Sequence, residues 1–187
     1  MAAAATWAGE FHAHFEAPLA DPVSALEWLP RYDAAYYAGW ARRTLALTGA
    51  ARDWLARLCT RFAEAAGELF QAPPAVIHGE YYPQNLLVRD GTVYPVDWES
   101  VAVAPGEIDL ASLTQGWPEE VAVACRAAYS EARWPAGAPA DLDRRLDEAG
   151  LYLALRWLGE WHQWTNDPGA EPWFSLVRHL GERLALL

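Results

Sequence analysis

The chain has 187 residues, 53% hydrophobic and 13% aromatic with 11 Trp, which suits one domain or one large lobe with a real core and argues against a disordered segment. Its formal charge of −11 argues against nucleic acid or an anionic membrane surface as the main partner, because both need a positive patch. All 14 basic residues are arginine, so chemistry that requires a lysine cannot be carried by these residues.

In chain order, Trp7, Phe11, His14 and Phe15 recur at helical spacing, and Asp21-Pro22 interrupts, so the chain is expected to open on an amphipathic helix with no strand before it. A second stripe, Tyr32, Tyr36 and Trp40, ends near Gly49, and a third, Trp54, Leu58, Phe62 and Leu69, ends before Pro73-Pro74; both read as core helices. Val76-Ile77, Leu86 to Val88 and Val93 to Val96 are short apolar runs. Arg89-Asp90-Gly91-Thr92 between the last two predicts a hairpin turn, so a small sheet should interrupt the helices. Pro95 cannot donate to a ladder, which puts its strand at an edge or beside a bulge.

Helical spacing returns after Pro105-Gly106, in Val121, Cys125 and Tyr129, then Leu142, Leu146, Ala149, Leu153 and Trp157, then Leu176, Leu180 and Leu184. Cys59 and Cys125 fall inside helical patterns without CxxC spacing and read as small buried hydrophobes. The cysteine usage makes a reducing cytoplasm the default; no apolar run reaches the ~18 residues of a membrane span and the Ala-rich start lacks a basic n-region, so neither a span nor a signal peptide is expected.

His78-Gly79-Glu80-Tyr81-Tyr82-Pro83-Gln84-Asn85 leaves one predicted strand, crosses a polar loop and enters another; Asp97-Trp98-Glu99 follows. These segments resemble the His-Gly-Asp-x-x-x-x-Asn loop and the following metal-binding Asp of aminoglycoside phosphotransferases, choline kinases and, more distantly, protein kinases. Pro105-Gly106-Glu107-Ile108-Asp109-Leu110-Ala111 resembles the family's segment after that Asp, and Trp7 to Glu16 resembles its first C-lobe helix.

The resemblance implies an α+β, predominantly α-helical fold: a protein kinase-like C-terminal lobe over residues 1–187, with a small β-hairpin carrying the catalytic loop and no ATP-clamping N-terminal lobe. It implies ATP- and Mg²⁺-dependent transfer of a phosphoryl group to a hydroxyl of a small molecule, an aminoglycoside, a choline-like compound or another hydroxylated acceptor. By it Glu80 is the base, in a catalytic loop that includes His78, Asn85 and Asp97 hold the metal, and Asp109 braces the loop. Tyr81 and Tyr82 either border the substrate or pack beneath the loop.

Read singly, Asn85 could cap backbone groups and Asp97 could form an Asx turn. His12 and His14, two apart on a helix, face different ways and receive no role. Two departures stand out: Glu80 replaces the family's Asp and sits one methylene further out, and the family's phosphate-pairing lysine has no counterpart. Three forms follow: a fragment of a longer kinase, a chain that joins a separately encoded N-lobe, or a shortened kinase-like binding module without catalysis; an apolar upper face left without an N-lobe predicts self-association or a partner covering it.

Overall fold

The structure is a computed structural model that describes residues 1–19, 26–48, 52–160 and 168–187. In chain order these form helices α1 (Ala2–Leu19), α2 (Ala34–Thr48) and α3 (Asp53–Leu69). Strands β1 (Pro74–Ile77), β2 (Leu86–Arg89), β3 (Thr92–Pro95) and β4 (Ala102–Pro105) follow. Helices α4 (Glu107–Thr114), α5 (Glu119–Arg133), α6 (Leu142–Glu160) and α7 (Glu171–Arg183) complete the order. The chain divides into two compact units, Met1–Arg31 with Ala72–Leu142 and Tyr32–Gln71 with Asp143–Leu187. The interruption at Asp21-Pro22 and the helix end near Gly49 lie outside the described residues.

In the first unit α1 packs along α5. The fully buried face of α1 is Ala5, Ala8 and His12, while Trp7 and Phe11 are half-buried and His14 is exposed. The aromatic stripe in the sequence therefore marks a neighbouring face. Small side chains let two helix backbones approach closely, and the larger rings turn to the strands and the following loop. Trp7 stacks on Phe11 at 4.9 Å and on Tyr81 at 5.8 Å.

Two separate two-stranded sheets replace the single small sheet expected from sequence. β2 and β3 form the expected hairpin, with Arg89 opposite Thr92 and both turn residues at positive φ, Asp90 at 51° and Gly91 at 78°. Pro95 lies in a two-stranded ribbon and needs no second ladder. β1 pairs antiparallel with β4, Val76 opposite Val103, and Val103 also forms a parallel bridge with Arg31, its N–H donating to the Pro30 carbonyl at 2.7 Å. β4 went unread because all four of its residues are buried, which removes the period-2 alternation that marks a strand. Leu29, Val76 and Val103 form the core here, with Phe11, Phe15, Leu26 and Val101 against them.

In the second unit α3 buries Leu55, Leu58, Cys59, Phe62, Ala66 and Leu69, the spacing of one helical face. The run Leu151 to Leu155 on α6 is buried all round. α2 begins two residues after Tyr32 because the Asp33 carboxylate accepts the Tyr36 amide at 2.8 Å and caps the helix. Among the described residues no helix is long and apolar enough to cross a membrane, and Cys59 and Cys125 are buried free thiols.

Candidate functional site

β1 delivers the chain to His78, and the backbone reverses at Gly79 with φ of 81°. A Cβ at Gly79 would run into the Ser100 carbonyl oxygen, so both the conformation and the space require glycine. The turn is pinned from below: the Asp109 carboxylate accepts the His78 amide at 2.7 Å and the Gly79 amide at 2.9 Å. Asp109 stands in the first turn of α4 and is 1% exposed.

A buried carboxylate needs a compensating donor. His12 on α1 supplies it, with Nε2 3.1 Å from Asp109 Oδ2 and Nδ1 2.9 Å from the Tyr129 hydroxyl. Arg133 Nη1 donates to the same hydroxyl at 2.5 Å and lies 3.4 Å from the buried Glu107 carboxylate. Burial pushes the Tyr129 phenol well above its ordinary range against the opposing pull of Arg133. Burial alone would lower the Arg133 guanidinium, yet Tyr129 and Glu107 hold it raised. The relay Arg133, Tyr129, His12, Asp109 thus ends on the backbone of the 78–79 turn. Sequence reasoning found only its last member. The signal it passed over was His12 in register with Ala5 and Ala8, the small-residue face of α1.

His78 is fully buried and both ring nitrogens are engaged. Nε2 donates to the Val96 carbonyl at 2.9 Å, and Nδ1 accepts the Glu80 amide at 3.3 Å, which defines the neutral Nε2–H tautomer. Glu80 is half-buried, and its carbonyl accepts the Asn85 side-chain amide at 3.0 Å. Asn85 closes a turn of 3₁₀ helix at Pro83–Asn85. Its amide nitrogen is committed to Glu80, so Oδ1 is the atom left for a ligand.

Val96 ties these residues to Asp97. Its N–H donates to the Asn85 carbonyl at 2.9 Å while its own carbonyl receives His78. Asp97 follows at φ of 66°, a left-handed conformation that Asp tolerates better than most residues, and its side chain is exposed. The Asp97 carboxylate makes no hydrogen bond or ion pair among the described residues.

The sequence-derived residues His78, Glu80, Asn85 and Asp97 are therefore linked by backbone hydrogen bonds within one segment, with Asp109 beneath them. Of the two placements open to Tyr81, it takes the one under the loop: its ring is fully buried and its hydroxyl donates to the Ala4 carbonyl at 2.9 Å. Burial, then the Asp109 charge, pushes its phenol well above the ordinary range. Tyr82 is half-buried. Among the described residues no group of three His, Cys, Asp or Glu side chains could hold a metal ion.

A family profile described as the phosphotransferase enzyme family matches residues 2–146. Among solved structures, the fold is similar to that of apo macrolide 2′-phosphotransferase MphH from Brachybacterium faecium, with a TM-score of 0.56 and 23% sequence identity. The match covers 96% of this chain and 61% of that one, so the chain spans about three fifths of that protein's length. No curated protein matches. At that identity the neighbour shows the fold: a helix-rich, kinase-like C-terminal lobe carrying small antiparallel strand pairs.

Proposed function

The chain belongs to the phosphotransferase enzyme family, and we propose that it is the catalytic lobe of an ATP- and Mg²⁺-dependent small-molecule kinase. In this reading Glu80 accepts the proton of an acceptor hydroxyl while its oxygen bonds to the γ-phosphorus of ATP, and the bond to the bridging oxygen breaks to release ADP. Asn85, through Oδ1, and Asp97 would hold Mg²⁺, which when bound neutralises charge on the phosphates. Two hard oxygen donors fit an ion that keeps several of its waters. His78 and Asp109 hold the loop in register.

The observation that carries this reading is Val96, whose two backbone hydrogen bonds bring Asp97 beside Asn85 and His78. A phosphate-pairing lysine has to come from outside these 187 residues, since they contain none. A covering N-terminal lobe would bury the apolar side chains of the hairpin, where Leu87 is 57% and Val88 67% exposed. A cytoplasmic location belongs to the same reading. The acceptor screen begins with a macrolide, the class that the structural neighbour's name carries, and extends to aminoglycosides and choline-like alcohols.

The test is calorimetric titration of the chain with ADP, with and without Mg²⁺, for the wild type and Asp97→Asn. Magnesium-dependent binding lost in the variant is the expected result. Magnesium-dependent binding that Asp97→Asn leaves unchanged would remove the metal role. Absence of binding, persisting when a family N-lobe is supplied, would favour a non-catalytic binding module, the reading that Glu80 in place of Asp also suggests.

A further inference from the structure

We propose that the second unit carries a separate site for a small organic phosphate monoester, in the cleft between α3 and α7. The cleft is open on one side, holds about 350 Å³ and is lined by Trp54, Arg57, Arg61, Arg178, Glu182, Leu186 and Leu187. That volume lies in the range of small-ligand sites.

The charge of the cleft runs against that of the chain. Three guanidiniums face the Glu182 carboxylate and the α-carboxylate of Leu187, so the local balance is still positive, plus one, in a chain whose total is −11. Glu182 is already taken by Arg178, with 3.1 Å between Nε and Oε1. Arg57 and Arg61 make no hydrogen bond or ion pair among the described residues, whereas Arg52, Arg144 and Arg183 each hold a carboxylate. Four residues apart on one helix, Arg57 and Arg61 repel each other unless an anion sits between them. Two unengaged planar forks and a local excess of positive charge match a dianion with several acceptor oxygens, which a phosphate monoester is.

The walls add an apolar requirement. Trp54 lies one turn before Arg57 on the same face of α3, and the Arg178 guanidinium stands 6.0 Å from its ring centroid, bridging the two helices. Leu186 and Leu187 add apolar lining. The spacing of the helices is fixed where Gly181 meets Leu58, because a Cβ there would collide with Leu58 Cδ1. The cleft is thus preformed, with an anion-binding part and an indole-lined part. This points to a phosphate carried on an aryl or similarly flat apolar body.

The site is independent of the chemistry proposed for residues 78–109, and so is its test. The full chain is titrated with phenyl phosphate, inorganic phosphate and phenol, following the Trp54 indole N–H resonance, assigned with Trp54→Phe. Phenyl phosphate is expected to bind saturably and more tightly than either half of it alone. Arg57→Gln/Arg61→Gln is expected to weaken it roughly tenfold or more, since each charge-assisted pair lost costs about that. Both side chains are exposed, so the variant should melt with the wild type; Arg57→Lys/Arg61→Lys, which keeps charge and loses the fork, is the second variant and should fall between them. No saturable shift, equal affinity in the Gln variant, or inorganic phosphate binding as tightly as phenyl phosphate would each overturn the proposal.

Discussion

His12 and Asp109 meet 3.1 Å apart in the interior, one from α1 and the other from α4, and neither is reached by solvent. The same carboxylate holds the amides of His78 and Gly79, so this pair sets the height of the 78–85 loop above the helices. Asp109→Ala leaves His12 and two amides without their acceptor. It should destabilise the fold by about 3 kcal/mol, read from urea denaturation. Native-state amide exchange should rise at His78 and Gly79 first.

Gly79 and Gly91 both have positive φ, 81° and 78°, but only Gly79 is crowded, a Cβ there meeting the Ser100 carbonyl. Gly91→Ala should cost about 1 kcal/mol, the left-handed penalty alone. Gly79→Ala should cost at least twice as much, and the difference in melting between the two variants isolates the contact with Ser100.

Three buried phenols hold their protons unusually tightly. Burial raises Tyr81, Tyr129 and Tyr152 above the ordinary value near 10, with the neighbouring Tyr36 and Tyr32 adding to the rise at Tyr152. A raised pKa in the folded state means that the stabilisation is whole below about pH 10 and is lost as the pH climbs past it. Ionisation is followed spectrophotometrically across the 8 tyrosines. These three should ionise only together with alkaline unfolding.

Burial pushes the Cys59 thiol up to about 12. It should therefore stay protonated and unreactive toward a thiol-specific disulfide reagent at pH 8, with labelling that tracks global unfolding as denaturant is added. Labelling of Cys59 at a rate independent of denaturant would contradict its burial.

Elements whose pattern matched their surroundings were legible in the sequence. The Asp90-Gly91 pair demanded a hairpin, and α3 has one apolar face and one wet one, so its period survives. Where burial is complete, the period vanishes: β4 reads as four apolar residues in a row, and a strand of that kind is indistinguishable from a helix fragment. His12 was missed for a related reason. Its partners lie 97 and 117 residues away, and only α1 packed on α5 brings them together. The loop residues were legible because they are close in sequence and joined by short backbone bonds.

That last feature bears on how the segment can vary. Position 96 shapes its neighbours through a peptide N–H and a peptide carbonyl, groups that nineteen of the twenty amino acids supply alike, while its own side chain is 37% exposed. Val96 is therefore replaceable in chemical character, by a threonine or a glutamine, without moving Asn85 or Asp97. Proline alone is barred, since it has no hydrogen to give to Asn85.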